Sequence, residues 1–285
     1  MKQTLKALLG KVFTDGEMQF APNSYELVGS NGKIVAIVEI PKEIWSRKNV
    51  IGKTIMDTNK NISSVLSKVS ARKGEFRTRD YELVAGSDDT EVLHKEHGYS
   101  LKVNPQKVYF SAKEGTERQR IAKQVERGEI VMVFFAGCGA YAVAIASEQP
   151  DVGRIYAIEI NSDGVDYMRQ NLRINRIVHK VVPIHGDAKN KAEEFYNMCD
   201  RVVMPLPLGA SEYLHEAIMC LRKKSSGVIH FYTLVNKEDF SSAEKAIQEV
   251  CKSMNRKCKI LNEHKVTEYS PGKLKVCIDF EVEST

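Results

Sequence analysis

A strand–turn–helix–strand pattern at residues 128–161 constrains the fold of this 285-residue chain more than any other feature. An apolar run leads into a Gly137-x-Gly139 turn, and a second apolar run ends at Glu159. Glycines in such a turn let the backbone approach a ligand, and a strand-terminal acid can accept hydrogen bonds from ribose hydroxyls. The pattern fits a nicotinamide dinucleotide or S-adenosylmethionine. A glycine-rich turn that binds nothing is the third interpretation.

The chain of 285 residues is long enough for one large or two modest domains, and its 42% of hydrophobic residues can form a substantial core. The sequence has no run of about 18 apolar residues, and residues 1–10 are too few and too polar for a signal peptide. Six cysteines are scattered without Cys-x-x-Cys pairs. We therefore expect a soluble cytoplasmic protein with reduced thiols, no membrane association and no metal.

Charge is distributed unevenly along the chain. Residues 1–128 carry 22 Lys and Arg against 16 Asp and Glu, whereas residues 129–285 carry 20 against 21. The basic surplus suggests that the front half faces a polyanion, and a merely solvated basic face is the alternative.

The pattern of predicted strands and helices changes near residue 103. This change predicts a small α+β domain at 1–103 and an α/β domain at 104–285. Residues 24–40 alternate like two strands around a Ser30-Asn31-Gly32 turn, and residues 61–70 have helical spacing. From residue 107 onward strands and helices alternate, as in a parallel sheet. A Tyr269-Ser270-Pro271-Gly272 turn predicts a closing antiparallel hairpin. The predicted elements are a strand from 107, helices at 117–126, 164–174, 211–222 and 241–254, a helix after the glycine turn, and strands at 130–135, 154–160, 181–184, 200–204, 227–232, 259–265 and 275–282.

A collinear series of short motifs carries a family resemblance. The motifs are Lys73-Gly74-Glu75-Phe76-Arg77-Thr78-Arg79, His94-Lys95-Glu96-His97-Gly98-Tyr99, Val108-Tyr109-Phe110-Ser111, Gly115-Thr116-Glu117-Arg118, Phe135-Ala136-Gly137-Cys138-Gly139, Ala157-Ile158-Glu159-Ile160-Asn161, Asn171-Leu172-x-x-Asn175 and Met204-Pro205-Leu206-Pro207. With them the chain resembles the archaeal and eukaryotic tRNA (guanine-37-N1)-methyltransferases, to which the wybutosine-pathway aminocarboxypropyl transferases are close. The resemblance starts at the family's second domain, so we expect a short form without the extra N-terminal domain.

The resemblance implies a class I, Rossmann-like S-adenosylmethionine-dependent methyltransferase domain, preceded by a small domain that helps dock the tRNA anticodon stem-loop. The implied reaction methylates N1 of guanosine 37. Removing the N1 proton suits a positioned carboxylate, and Glu117 matches the family's proposed base; a carboxylate favoured only by the helix dipole is the alternative. Arg77 matches the residue that stabilises charge developing on O6. The alternative for Arg77 is a solvated basic residue.

Substrate residues also follow from the resemblance. An anticodon-loop base can be unstacked into a pocket at modest cost, and Tyr109 matches a residue that lines this pocket. Arg118 either contacts phosphate or pairs with an acid. Leu206 and Pro207 match the substrate loop. Pro205 stands where the family commonly has an asparagine that helps recognise guanine, and proline has neither that amide nor a backbone N–H.

The cofactor residues implied by the resemblance surround the glycine turn. Glu159 matches the ribose acid, and Asp187 matches the acid near adenine or, alternatively, caps the next helix. Val133 and Ser162 replace the family's usual aspartate and proline, which removes one polar contact near the cofactor and loosens a turn. Four residues match the backbone loop that lies against the methionine part of S-adenosylmethionine: Phe135, Ala136, Gly137 and Gly139.

Other functions stay open from the sequence. A wyosine-pathway transferase would act at the same nucleotide, by aminocarboxypropyl transfer or by methylating a tricyclic guanosine derivative; Tyr109 and Leu206-Pro207 favour methyl transfer to guanine. A nicotinamide-dependent oxidoreductase explains the glycine turn but not the motifs at 73–118. A non-catalytic tRNA-binding protein explains Val133 and Pro205 but not the retained candidate base and ribose acid.

Overall fold

The chain divides into two compact units, Met1–Lys113 and Glu114–Thr285. A computed structural model describes residues 4–30, 32–70, 79–237 and 239–284. The division falls ten residues after the predicted boundary at 103. Residues 104–113 therefore belong with the first unit.

The first unit is a mixed α/β structure around its own apolar core. Its described sheet has the order β1-β2-β3-β4, with β2 and β3 parallel and the outer pairs antiparallel. The predicted strands around residues 30–32 are thus confirmed as β1 and β2. The elements are β1 (Glu26–Ser30), β2 (Lys33–Val38), β3 (Ile62–Lys68), β4 (Tyr81–Gly86), β5 (Val92–Glu96), β6 (Tyr99–Val103), α1 (Leu5–Leu9), α2 (Asp15–Met18) and α3 (Lys48–Thr58), with a 3-10 helix at Lys42–Arg47.

The helix predicted at 61–70 was wrong, because this segment forms β3. β3 lies between β2 and β4, and its consecutive residues Val65 and Leu66 are both fully buried. Successive side chains of a strand point to opposite faces, so both faces of β3 are covered. A strand buried on both faces does not alternate apolar and polar residues, and its apolar run then resembles the spacing of a helix.

The motif at 94–99 is accounted for by a hairpin of β5 and β6. Its turn residues His97 and Gly98 have φ of 43° and 85°, the left-handed backbone that two-residue hairpin turns require. Tyr99 donates its hydroxyl hydrogen to Oε1 of Glu96 at 2.6 Å. The motif therefore has a structural role in the first unit.

The strand predicted from residue 107 was also wrong. The N–H groups of Lys107 and Val108 both donate to the carbonyl of Asn104, at 3.0 and 3.1 Å, which closes a turn. The segment then continues as coil into a 3-10 helix at Ala112–Glu114. The apolar Val-Tyr-Phe run resembles a strand, but pairing with a neighbouring strand is a property of tertiary structure.

The second unit confirms the predicted strand and helix alternation. The helix predicted at 211–222 forms as a 3-10 helix at Ala210–Tyr213 followed by an α-helix at Leu214–Cys220. Another 3-10 helix occupies Ala192–Phe195. The elements are α4 (Gly115–Ala122), β7 (Ile130–Val133), α5 (Ala140–Glu148), β8 (Arg154–Glu159), α6 (Ser162–Ile174), β9 (Val181–His185), α7 (Ala188–Lys191), β10 (Arg201–Met204), α8 (Leu214–Cys220), β11 (Gly227–Asn236), α9 (Ser241–Ser253), β12 (Cys258–Ser270) and β13 (Lys273–Val282).

The sheet of the second unit has the order β12-β13-β11-β10-β7-β8-β9. Strands β7 to β11 run parallel, and β12 and β13 form the predicted closing antiparallel hairpin beside β11. From β7 the chain proceeds outward through β8 and β9, then returns to place β10 on the other side of β7. Ligands of open α/β sheets bind beyond the carboxyl ends of the strands at such a reversal. The loops after β7 and β10 therefore mark the candidate site.

The described cysteines are all free thiols, and most are buried. Burial raises the pKa of Cys199 to about 12. Among the described residues, no helix combines the length and apolar character needed to cross a membrane.

Candidate active site

The loop after β7 has a left-handed backbone at Phe135, Gly137 and Gly139, with φ of 53°, 56° and 83°. Glycine adopts this conformation without the steric cost that a Cβ brings. The N–H of Ala136 donates to the carbonyl of Ile158 at 2.9 Å, which ties the loop to the end of β8. The predicted cofactor-loop residues therefore lie together beyond the carboxyl end of β7.

Glu159, at the tip of β8, accepts hydrogen bonds from two backbone N–H groups. Gly137 donates to Oε2 at 2.6 Å, and Asn161 donates to Oε1 at 2.7 Å. Burial raises the pKa of Glu159, although these hydrogen bonds act in the opposite direction. A carboxylate offers about four acceptor positions, so capacity remains for ribose hydroxyls.

Helix α6 braces the glycine loop through residues that the sequence analysis did not assign. A Cβ on Gly139 would lie 2.7 Å from Cγ of Met168. The side-chain amide of Asn171 donates to the carbonyl of Cys138 at 2.9 Å, and Asn171 is fully buried. Only the Asn171-Leu172-x-x-Asn175 motif signalled this contact in advance.

Glu117 lies in the first turn of α4 and is only 4% exposed. Arg120 donates to both carboxylate oxygens, from Nε to Oε2 at 2.8 Å and from Nη2 to Oε1 at 2.9 Å. The Tyr232 hydroxyl donates to Oε1 at 2.6 Å, and Nε2 of His264 lies 3.2 Å from Oε2. Side chains from α4, β11 and β12 thus hold this carboxylate, in addition to any effect of the helix dipole.

A buried series of charged and polar groups continues from Arg120. Its Nη1 donates to Oδ2 of Asp279 at 2.6 Å, and Nδ1 of His230 lies 2.6 Å from Oδ1 of the same carboxylate. Arg201 places Nη1 2.8 Å from Nε2 of His230 and donates to both oxygens of Glu129, at 2.7 and 2.8 Å. We define the charge chain as Glu117, Arg120, Asp279, His230, Arg201 and Glu129.

The partners of His230 determine its tautomer. A guanidinium can only donate, so Nε2 accepts from Arg201 and Nδ1 carries the proton that is donated to Asp279. Burial lowers the pKa of His230 and outweighs its hydrogen bond to Asp279, so the ring is neutral. Burial acts to raise the pKa of Asp279, but hydrogen bonds from His230 and Arg120 outweigh it and hold that pKa well below its usual range.

The side chains of His230, Cys277 and Asp279 place potential metal ligands within 4.8 Å of one another. Arg201 already donates to His230, and Arg120 already donates to Asp279. Two guanidinium groups beside the cluster would repel a cation. The geometry therefore supports a hydrogen-bonded cluster over a metal site.

Pro205, Leu206 and Pro207 follow β10 directly and lie at the same reversal of the sheet as the glycine loop. The ring of Phe135 packs edge-on against Tyr213, which lies downstream of β10, with centroids 4.8 Å apart. The loops after β7 and β10 thus share one edge of the second unit. Val133 is fully buried at the end of β7.

Tyr109 lies in the first unit, where it lines an open pocket together with Glu26. Lys68, Arg79 and Tyr81 also line this pocket. Cations beside aromatic rings suit a nucleotide, whose base stacks while its phosphate is neutralised. Arg77, the other first-unit residue assigned by resemblance, lies outside the described residues.

Two predicted residues have structural roles in the second unit. Oδ1 of Asp187 accepts from the N–H of Lys189 at 3.0 Å and so caps α7, as its alternative interpretation stated. Arg118 is only 2% exposed, which favours pairing within the protein over contact with a phosphate at the surface. Their binding roles stay predictions.

The chain is similar in sequence and fold to known proteins. The family model of the TRM5/TYW2 methyltransferase domain matches residues 92–261, and that of the TYW2 N-terminal domain matches residues 5–90. The tRNA (guanine(37)-N(1))-methyltransferase Trm5b of Pyrococcus abyssi is 34% identical over 265 residues, covering 93% of this chain and 76% of the relative. Its crystal structure matches with a TM-score of 0.84 over 95% of this chain and 79% of that one.

Two further solved structures were determined with ligands. A complex of aTrm5 and tRNALeu has 31% identity and a TM-score of 0.85, covering 99% of this chain and 78% of that one. Methanocaldococcus jannaschii Trm5 in complex with adenosine has 29% identity and a TM-score of 0.80, covering 98% and 78%. Since one family model alone spans more than half of the sequence, the chain belongs to the TRM5/TYW2 methyltransferase family.

Proposed function

We propose that this protein transfers a methyl group from S-adenosylmethionine to N1 of guanosine 37 in tRNA. The observation that carries the proposal is the β7–β10 reversal, which brings the glycine loop and the Pro205–Pro207 segment to one edge of a methyltransferase-family domain. Relatives named for this reaction span most of the chain. Family membership sets the nicotinamide interpretation aside.

The residues present fit the methyl donor. Phe135, Ala136, Gly137 and Gly139 form a backbone loop able to approach its methionine part, and Glu159 keeps acceptor capacity for ribose hydroxyls. The capping carboxylate of Asp187 lies one strand further along the sheet, after β9. When bound, S-adenosylmethionine supplies a methyl group on a sulfonium leaving group, so a metal is not required for the transfer.

Glu117 is the proposed general base. With the methyl donor bound, its sulfonium would act as the leaving group as the methyl passes to N1 of guanine, and Glu117 would accept the N1 proton. Tyr232 and Arg120 hold Glu117 in one orientation, which favours proton transfer along a defined direction. Arg77 is proposed to stabilise negative charge on O6.

The first unit is proposed to dock the anticodon stem-loop in the cytoplasm. Its support is the basic surplus of residues 1–113, which carry 18 Lys and Arg against 13 Asp and Glu, and the pocket that contains Lys68, Arg79 and Tyr109. Leu206, Pro207 and backbone carbonyls near Pro205 would contact the base. Phosphate contacts of this kind would make tRNA binding weaken as salt rises.

A wyosine-pathway activity is the second candidate. Two observations favour it: the first unit matches the TYW2 N-terminal domain, and Pro205 lacks the amide that helps recognise guanine. The substrates of the two reactions differ, because the second requires an already modified nucleotide 37. Product analysis therefore separates the two candidates.

The test incubates the protein with labelled S-adenosylmethionine and an unmodified tRNA transcript that carries guanosine 37. Mass spectrometry of the nucleosides should find N1-methylguanosine, and a transcript with adenosine 37 should yield none. Product that forms only on precursor tRNA, as an aminocarboxypropyl or wyosine-type nucleoside, would move the assignment to the second candidate.

The base is tested by Glu117→Gln under single-turnover conditions. We expect transfer to slow by about 10²–10⁴-fold, the usual contribution of a general base, with S-adenosylmethionine binding preserved. Glu126→Gln, an exposed substitution just beyond α4, is the matched control. Unchanged transfer in the Glu117 variant would remove this residue as the base.

A further inference from the structure

Arg120 is shared between two buried carboxylates, and this sharing bears on how Glu117 can accept a proton. The guanidinium contacts Glu117 through Nε and Nη2, and Asp279 through Nη1 at 2.6 Å and Nη2 at 3.3 Å. Glu117 and Asp279 are 4% and 2% exposed. Solvent therefore screens neither pair well.

Proton uptake by Glu117 would remove one of the two negative charges beside Arg120. If Glu117 were the sole counter-charge, the proton would leave a half-buried guanidinium without an anion, which is unfavourable. Asp279 stays ionised on the other side of Arg120, because His230 and Arg120 both donate to it. The Arg120–Asp279 pair is then neutral whether or not Glu117 carries the proton.

We propose that Asp279 is a positioning residue for methyl transfer, which supplies the counter-charge that Arg120 needs once Glu117 has taken the guanine proton. The inference rests on the proposed function. Asp279 touches neither Glu117 nor the reacting atoms; it acts through Arg120. His230 and Arg201 in turn hold Asp279, since the His230 tautomer set by Arg201 directs the Nδ1 proton to Asp279.

Other polar groups around Glu117 do not replace this counter-charge. The Tyr232 hydroxyl donates to the Glu117 carboxylate, and Nε2 of His264 lies within hydrogen-bond distance of it. Neither side chain supplies a negative charge. Burial raises the pKa values of Tyr232 and Cys277 well above their usual ranges, so both stay neutral. The titratable and charged groups that face this region are Glu114 just before α4, Arg118 and Arg120 from α4, Tyr141 from α5, His230 and Tyr232 from β11, His264 from β12, and Lys275, Cys277 and Asp279 from β13. Glu114 already pairs with Lys275 at 2.9 Å.

The test changes the charge on each side of Arg120 separately. In Asp279→Asn, Glu117 is the one of these two carboxylates that still pairs with Arg120. Glu117 should therefore accept a proton less readily. We expect the acid limb of the single-turnover pH profile to move to lower pH and its plateau rate to fall about tenfold. Arg120→Gln removes the cation, so the acid limb should move to higher pH.

A merely structural role would slow both variants without moving the acid limb in opposite directions. Asp200→Asn is the matched control, because it breaks another Asp–Arg pair of this sheet, with Arg222, and should not move the acid limb.

An acid limb that stays in place in Asp279→Asn, or that moves in the same direction in both variants, would overturn the counter-charge role. That result would leave the proposed function intact if the wild type methylates guanosine 37. A wild type that leaves guanosine 37 unmethylated would instead refute the proposed function and, with it, the role of Asp279 in that reaction. The two failures are thus distinguishable.

Discussion

Replacing Gly139 by alanine should destabilise the second unit through two separate effects. The backbone at Gly139 has φ of 83°, where an L side chain costs about 1–2 kcal/mol. The new Cβ would also lie 2.7 Å from Cγ of Met168, and overpacking of this kind costs about 1–3 kcal/mol. The expected loss in the free energy of unfolding is therefore about 2–5 kcal/mol.

Gly128→Ala is the matched control, because Gly128 has φ of 79° and a Cβ there would meet nothing within 4 Å. Only the backbone term applies, so its expected loss is about 1–2 kcal/mol. The difference between the two variants isolates the contact with Met168. Trimming that side chain in Gly139→Ala/Met168→Ala should remove the overpacking term while adding the cost of a cavity.

Urea unfolding followed by far-UV circular dichroism measures these losses. Trp45 is the sole tryptophan and lies in the first unit, so its fluorescence reports that unit separately and should not change. Two units need not unfold in one transition, which makes this separate signal necessary. A Gly139 variant as stable as the Gly128 variant would refute the argument that α6 braces the loop.

Three other predictions concern charge and binding. His230 is neutral in the folded protein, whereas in the unfolded chain it takes a proton below about pH 6.5, so falling pH favours unfolding. Between pH 7 and 5 the wild type should therefore lose up to about 2 kcal/mol more free energy of unfolding than His230→Asn. Equal losses in the two proteins, measured by urea unfolding, would contradict this. Glu159→Gln should weaken S-adenosylmethionine binding at least about tenfold by calorimetry, because the amide donates where a carboxylate accepts; unchanged affinity would remove Glu159 from the site. Arg77→Ala should slow single-turnover transfer more than it weakens tRNA binding, and the reverse pattern would make Arg77 a docking residue.

Local sequence patterns predicted the architecture of the second unit because its parallel strands and helices each carry their own periodicity. The glycine turn, the acid at Glu159 and the closing hairpin were located by spacing alone, and the structure has all three. The same reasoning failed at β3, which is buried on both faces, and at residues 107–111. In both segments an apolar run was interpreted without knowing its neighbours.

The candidate site was only partly accessible to sequence reasoning. Glu117 could be singled out as a base by resemblance, and its partner Arg120 lies one helical turn away, but its partners Tyr232 and His264 lie 115 and 147 residues further along the chain. No periodicity relates residues so far apart. The protonation of His230 likewise depends on Arg201 and Asp279 approaching opposite nitrogens of one ring.

The sequence by itself determined the α/β character of the second unit, the position of the cofactor loop and the family to which the chain belongs. These properties are encoded locally, in strand and helix periodicity, in glycines that permit a left-handed backbone, and in collinear motifs. Tertiary structure alone decided which strands are central and which charged side chains lie close to Glu117. Burial and electrostatic pairing depend on what the folded chain brings within a few ångströms, and this depends on strand order rather than on separation along the sequence.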